Sequence, residues 1–210
     1  KLTQDILDAA VANKCKTLEE VLALPMGDAT VAQAVTDRTG ITGEKMELDG
    51  YMVLEGATIA AYNHMNRNGL CTMVAFNKKV DEQLAKQVAM QVAAMNPPYL
   101  KREDVPASAL EEEKKIMLAQ MAEDPKMANK PEQVRVKIVE GKLGKYYEEN
   151  CLLEQDFVKE NKMTITEYLN SVAKEVGSPI TISQFVRFER GEGIEKKADN
   201  FADEVASMIK

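Results

Sequence analysis

Between residues 46 and 76 the chain turns rich in β-branched and aromatic residues, and three X-Gly pairs punctuate the stretch: Asp49-Gly50, Glu55-Gly56 and Asn68-Gly69. Each pair favours a tight turn, so the spacing predicts about three antiparallel strands in a meander. Helical periodicity stands on both sides of it, which requires an α+β fold rather than an all-helical one.

Upstream, residues 1–12 read as an amphipathic helix with Leu2, Ile6, Ala9 and Ala10 on one face and Asp5 and Asp8 on the other. Thr17 and Glu20 have capping-box spacing before a short helix that ends near Pro25. Asp28 or Thr30 starts another, expected to stop at Gly40. Downstream, Asp81 caps a helix through Met95 in which Leu84, Val88, Val92 and Met95 recur at helical spacing, and Pro97-Pro98 ends it.

The middle of the chain is different in kind. Residues 109–125 and 131–149 are charged helical stretches separated by a Pro- and Asn-containing turn, the pattern of an antiparallel helical hairpin. Leu110, Met117 and Met121 are expected to meet Val134, Ile138 and Tyr146 along its seam. Beyond it, a strand led by Cys151 and a helix over residues 164–176 repeat the strand-turn-helix order of residues 71–92, as two related lobes would if the hairpin split the second. Ile182, Gln184, Val186 and Phe188 alternate as on one face of a strand, and a last helix over residues 199–209 aligns Phe201, Val205 and Met208.

Lys+Arg 27 against Asp+Glu 34 gives a net charge of −7, so the global field repels phosphate backbones and nucleic acid is not an expected direct ligand. Cys15, Cys71 and Cys151 are odd in number and form no CxxC pair, which fits a reducing, cytoplasmic setting rather than a disulfide framework or a zinc site. No apolar run reaches the roughly 20 residues that span a bilayer, so no membrane partner is expected. The chain opens on Lys1 within a helical pattern, and the expectation is that native sequence precedes it.

Catalytic chemistry finds little to build on. His64 is the one imidazole, Cys71 lies nearby in the hairpin, and no acid stands close in sequence to orient the ring. Gly191-Glu192-Gly193 lacks the spacing of a phosphate loop, and the carboxylate runs Glu111-Glu112-Glu113 and Glu148-Glu149 fall on solvated helix faces. No catalytic residue, metal site or cofactor is assigned, although an enzyme centred on His64 and Cys71 stays as an alternative.

Five stretches carry a family resemblance: GEKMELDGYMVLEG, the YNHMNRNG hairpin, the AMQVAAMNP helix end, the VEGKLGKYYEE arm and, most specifically, RFERGEGIEKKADNFADEVASM. Together they make the chain resemble the elongation factor Ts family, the nucleotide-exchange factors of bacterial elongation factor Tu. The resemblance implies two related α+β subdomains of antiparallel sheet with packed helices, an inserted antiparallel coiled coil and a C-terminal helical module. The expected division is residues 1–80 for the first subdomain, 81–106 and 150–190 for the second, 107–149 for the coiled-coil hairpin and 191–210 for the module.

By the same resemblance the partner is elongation factor Tu, GDP-bound and nucleotide-free, with a homodimer as a further option. His64, Arg67, Asn68 and Gly69, together with Met90, Gln91 and Val92, are implied to face its nucleotide domain near the phosphate loop, with Gly69 permitting a left-handed turn. Phe201 and Val205 are implied to add affinity. Gln91 stands where many family members carry histidine, so a hydrogen-bonding contact is expected there instead of a cationic one. The family's Thr-Asp-Phe-Val signature and N-terminal helical domain would lie before Lys1, which implies that this chain binds but exchanges poorly. A helical-hairpin adaptor without exchange activity would share the charged arms and the apolar C-terminal stripe.

Overall fold

The computed structural model describes residues 1–128 and 130–193. The helix α1 (Leu2–Ala12) buries Ile6 and Ala10, and α2 (Leu18–Ala23) begins on the expected capping box of Thr17 and Glu20. A two-residue ribbon, β1 (Pro25–Met26) with β2 (Ala29–Thr30), leads into α3 (Val31–Thr42), capped by the Thr30 side chain. The helix α3 runs through Gly40 and stops at Gly43, which takes the left-handed conformation at φ 72° and donates its N–H to the Thr39 carbonyl at 2.9 Å. The expected stop at Gly40 is corrected: a helical glycine costs about 1 kcal/mol relative to alanine but breaks nothing, whereas a left-handed one ends the helix.

The sheet follows as β3 (Thr58–Asn63) and β4 (Leu70–Phe76), after which α4 (Glu82–Met95) starts on Asp81, whose carboxylate accepts from the N–H of Gln83 and Leu84. Two long helices, α5 (Ala107–Glu123) and α7 (Glu132–Asn150), pack on each other on either side of the short α6 (Pro125–Ala128). A small ribbon of β5 (Asp156–Phe157) and β6 (Glu160–Thr164), then α8 (Ile165–Val176) and β7 (Ile182–Glu189), complete the described chain.

Two expectations about strands need correction. The meander has two strands in sequence, not three: residues 44–57 form no strand, and the third strand of the antiparallel sheet is β7, in the order β3-β4-β7. Residues 50–56 instead pass over one face of that sheet, where Gln184 Nε2 donates to Met52 Sδ at 3.3 Å and Gly56 lies against the Phe76 backbone. In β7, Ser183 is an extra residue between the pairs Phe76–Ile182 and Ala75–Gln184. This bulge shifts the alternation, so Ile182 joins Phe185 on the α4 face while Gln184, Val186 and Phe188 take the other.

The main core lies between the sheet and α4, where Val74, Phe76, Val88, Val92, Leu152 and Ile165 are fully buried. It runs across the division expected after residue 80, because β3 and β4 share it with α4 and α8. A satellite core of Ile6, Ala10, Cys15, Val21 and Val31 sits among the first three helices. Between α5 and α7 the buried residues are Met121 and Val139, whereas Val134, expected in the seam, is exposed. Val134 stands five residues before Val139, about 140° around the helix, so it faces away from the inward stripe of α7 that runs through Val139.

Gly56 has no room for a side chain: an added Cβ would meet the Phe76 carbonyl oxygen at 2.8 Å. Gly56→Ala should lower unfolding free energy by about 1–3 kcal/mol, read from urea melts as a shifted midpoint at constant slope.

Candidate functional site

The turn between β3 and β4 forms a rigid knuckle. His64–Asn66 make one 3-10 turn, and the Arg67 N–H closes on the His64 carbonyl at 3.3 Å. Three non-glycine residues are left-handed here, Met65 at φ 53°, Asn66 at φ 53° and Asn68 at φ 52°. Asparagine tolerates this conformation; methionine is strained in it by roughly 1–2 kcal/mol. The strain is held by braces at the base. The Asn63 carboxamide accepts from the Asn68 N–H at 3.1 Å and donates to the Asn68 side chain, while Tyr62 Oη lies 2.9 Å from His64 Nδ1. Gly69 is not among the left-handed residues, which corrects the turn expected there: Met65 and the asparagines on either side of Arg67 supply the positive φ values.

His64, Arg67 and Asn68 are exposed, and Gly69 is half-buried, its carbonyl accepting the Arg190 N–H at 2.8 Å. β7 therefore ends at the tip, and the described chain stops three residues beyond Arg190. Arg187 lies beneath, paired with Glu192 at 3.0 Å and with Glu189. Phe201 and Val205 lie outside the described residues.

The strand β4 runs away from the tip and α4 returns toward it, bringing Met90 to the same end of the sheet. Thr72, one turn of strand from the tip, donates its hydroxyl to the Ala89 carbonyl at 2.8 Å and fixes the height of α4 there. Met90 is half-buried, but Gln91 and Val92 are fully buried within this chain. Neither side chain is offered at this chain's surface, where a contact was expected of them, because the helix face that carries them is the core-facing one.

Gln91 is fully engaged. Its Oε1 accepts the Val158 N–H at 2.9 Å, and its Nε2 donates to the Asp156 carbonyl at 3.0 Å and to Gln155 Oε1 at 3.3 Å. Gln155, also fully buried, donates to the Glu149 carbonyl at 2.9 Å, at the end of α7. At the base of the long helices Arg102 forms a two-pronged pair with Glu154 and stands 4.6 Å over the Tyr147 ring. Sequence reasoning missed Asn63, Met65, Gln155 and Arg190. The asparagines flanking the tip are a turn signal that could have pointed to Asn63, but nothing local marks Gln155 or Arg190, which tertiary pairing brings in.

The imidazole of His64 has a phenol, not a carboxylate, as its hydrogen-bond partner, and Cys71 is cross-strand from Asn63 on the sheet face away from Tyr62. Cys71 is half-buried, whereas Cys15 and Cys151 are buried. No group of three or more His, Cys, Asp or Glu suited to a metal occurs among the described residues, and no described helix is long and apolar enough to cross a membrane.

Gln91→Leu leaves the Val158 N–H and the Asp156 carbonyl unpaired in the interior, and should cost about 3 kcal/mol by chemical denaturation. Burial, reinforced by the Glu154 charge, pushes the Cys151 thiol from 9.0 to about 11. The folded state binds that proton more tightly, so its contribution to stability is complete below pH 9 and is lost as pH rises through about 11. The stability of Cys151→Ala should fall less steeply over that window than that of the parent.

The Elongation factor TS family matches residues 1–192. An elongation factor Ts of Bacteroides fragilis is 52% identical over 240 aligned positions, covering 90% of this chain and 72% of that protein. One of Bacteroides thetaiotaomicron is 45% identical with the same coverage. That of Syntrophotalea carbinolica is 38% identical, covering 100% of this chain and 71% of its own length. With an α+β core of antiparallel sheet and packed helices to match, this chain belongs to the elongation factor Ts family of translation elongation factors.

Proposed function

We propose that this chain is a guanine-nucleotide exchange factor for elongation factor Tu and acts without covalent chemistry. The observation that carries the reading is the braced, exposed tip of His64, Arg67 and Asn68 in a chain whose family match runs over residues 1–192. A GTPase holds its nucleotide through backbone N–H groups, a lysine and magnesium around the phosphates. A partner that binds better to the conformation lacking those bonds releases the nucleotide by mass action. The coupling is reciprocal: 3 kcal/mol corresponds to roughly 150-fold in either direction.

In this reading Arg67 makes charge-assisted hydrogen bonds to the GTPase, His64 and Asn68 add directional ones, and Met90 extends the contact along the same end of the sheet. Gly69 keeps the tip narrow. Gln91 and Val92 hold α4 at the height at which Met90 meets the partner, while Phe201 and Val205 add a second contact. The α5 and α7 pair is read as an antiparallel coiled-coil arm, and the whole acts in the cytoplasm on both GDP-bound and nucleotide-free elongation factor Tu. No residue is assigned a catalytic role and no cofactor is needed.

The test is release of fluorescent GDP from purified elongation factor Tu, titrated with this chain. Release should accelerate modestly, and Arg67→Ala and His64→Ala together should lower the effect about tenfold while the melting temperature holds. Binding without accelerated release would favour the adaptor instead, and neither binding nor acceleration would overturn the proposal.

A further inference from the structure

The tip carries two side chains that the contact described above does not use, Met65 and Arg190. Met65 is 67% exposed in a left-handed conformation that methionine adopts at a cost, and the braces at Asn63, Asn68 and Tyr62 keep it there. A side chain with three rotatable bonds and a polarisable sulfur, presented on a stiff turn, is suited to filling an apolar hollow. With His64, Gly69 and Leu70 it lines a shallow depression that Arg67 and Arg190 also line. Glu189 also lines it, but its carboxylate is taken by Arg187. Among the described residues Arg67 and Arg190 have no ion-pair partner, so the depression is locally cationic on a chain of net charge −7.

We infer that this depression receives a carboxylate side chain of the protein partner, held between Arg67 and Arg190, while Met65 seats in an apolar hollow beside it. The inference rests on the contact reading above and adds Met65 and Arg190 to it. Two guanidinium groups match a planar carboxylate by bidentate hydrogen bonding. A phosphate group would satisfy the arginines equally but offers nothing for Met65 to bury, whereas an acidic residue at the margin of an apolar hollow on a folded protein satisfies both. The local charge also opposes the sign of the whole chain, so it acts at short range and orients the encounter more than it drives it.

Binding of the whole chain to nucleotide-free elongation factor Tu, measured at about 50 and 300 mM salt, tests this. Met65→Asn keeps a residue suited to the left-handed turn and should weaken binding about tenfold at both salt concentrations, with an unchanged or raised melting temperature. Arg190→Gln should weaken binding mainly at low salt and flatten the salt dependence. Normal binding by Met65→Asn, or an unaltered salt dependence for Arg190→Gln, overturns the inference. If the His64→Ala, Arg67→Ala pair weakens binding while these two variants do not, the contact reading survives without it. If none of them changes binding, both fall.

Discussion

Two carboxamides with no access to solvent, Gln91 and Gln155, impose the strictest condition on this molecule. Each buried amide has donors and an acceptor to satisfy, and here the partners are backbone groups at Glu149, Asp156 and Val158. The Gln155 carbonyl also accepts the Ile165 N–H at 3.1 Å, where α8 begins. One small polar cluster thus registers α4, the end of α7, β5 and the start of α8 against one another. Sliding any of them would strand a buried polar group at a cost of about 1–3 kcal/mol each. Apolar packing alone tolerates such shifts; hydrogen-bond geometry does not.

From that register the arrangement of the tip follows. α4 is held against β3 and β4 with Met90 at the same end as the turn, and β7 enters as the third strand through its own pairing with β4. The tip end of the sheet is therefore assembled from three distant parts of the chain. Its local conformation is strained, and the strain sits where side chains are offered to solvent rather than in the core. Rigid strands below allow a costly turn to persist above.

Short-range chemistry in the sequence announced much of this. Thr17 with Glu20 and Asp81 read as caps because capping needs nothing beyond a few neighbouring residues, and they cap as expected. The exposed turn at His64, Arg67 and Asn68 was also evident, since strand texture on both sides leaves a polar stretch nowhere else to go. What failed was long-range. Residues 44–57 have strand-like composition, but no partner strand is available to them in the described chain, and propensity cannot supply the missing ladder. The inward turn of Gln91 was hidden for a related reason: a lone glutamine among apolar residues looks like a surface position until Val158, Asp156 and Gln155 arrive to saturate it. The bulge at Ser183 likewise depends on where Phe76 pairs, which no local pattern encodes.

The end of β7 has a consequence of its own. Arg190 is tied to Gly69 by its backbone N–H, so β7 ends against the knuckle itself. The ends of β4 and β7 are therefore not independent at the tip: a substitution that displaces the Gly69 carbonyl also frees the Arg190 N–H, so a change in the turn is felt at the end of the third strand.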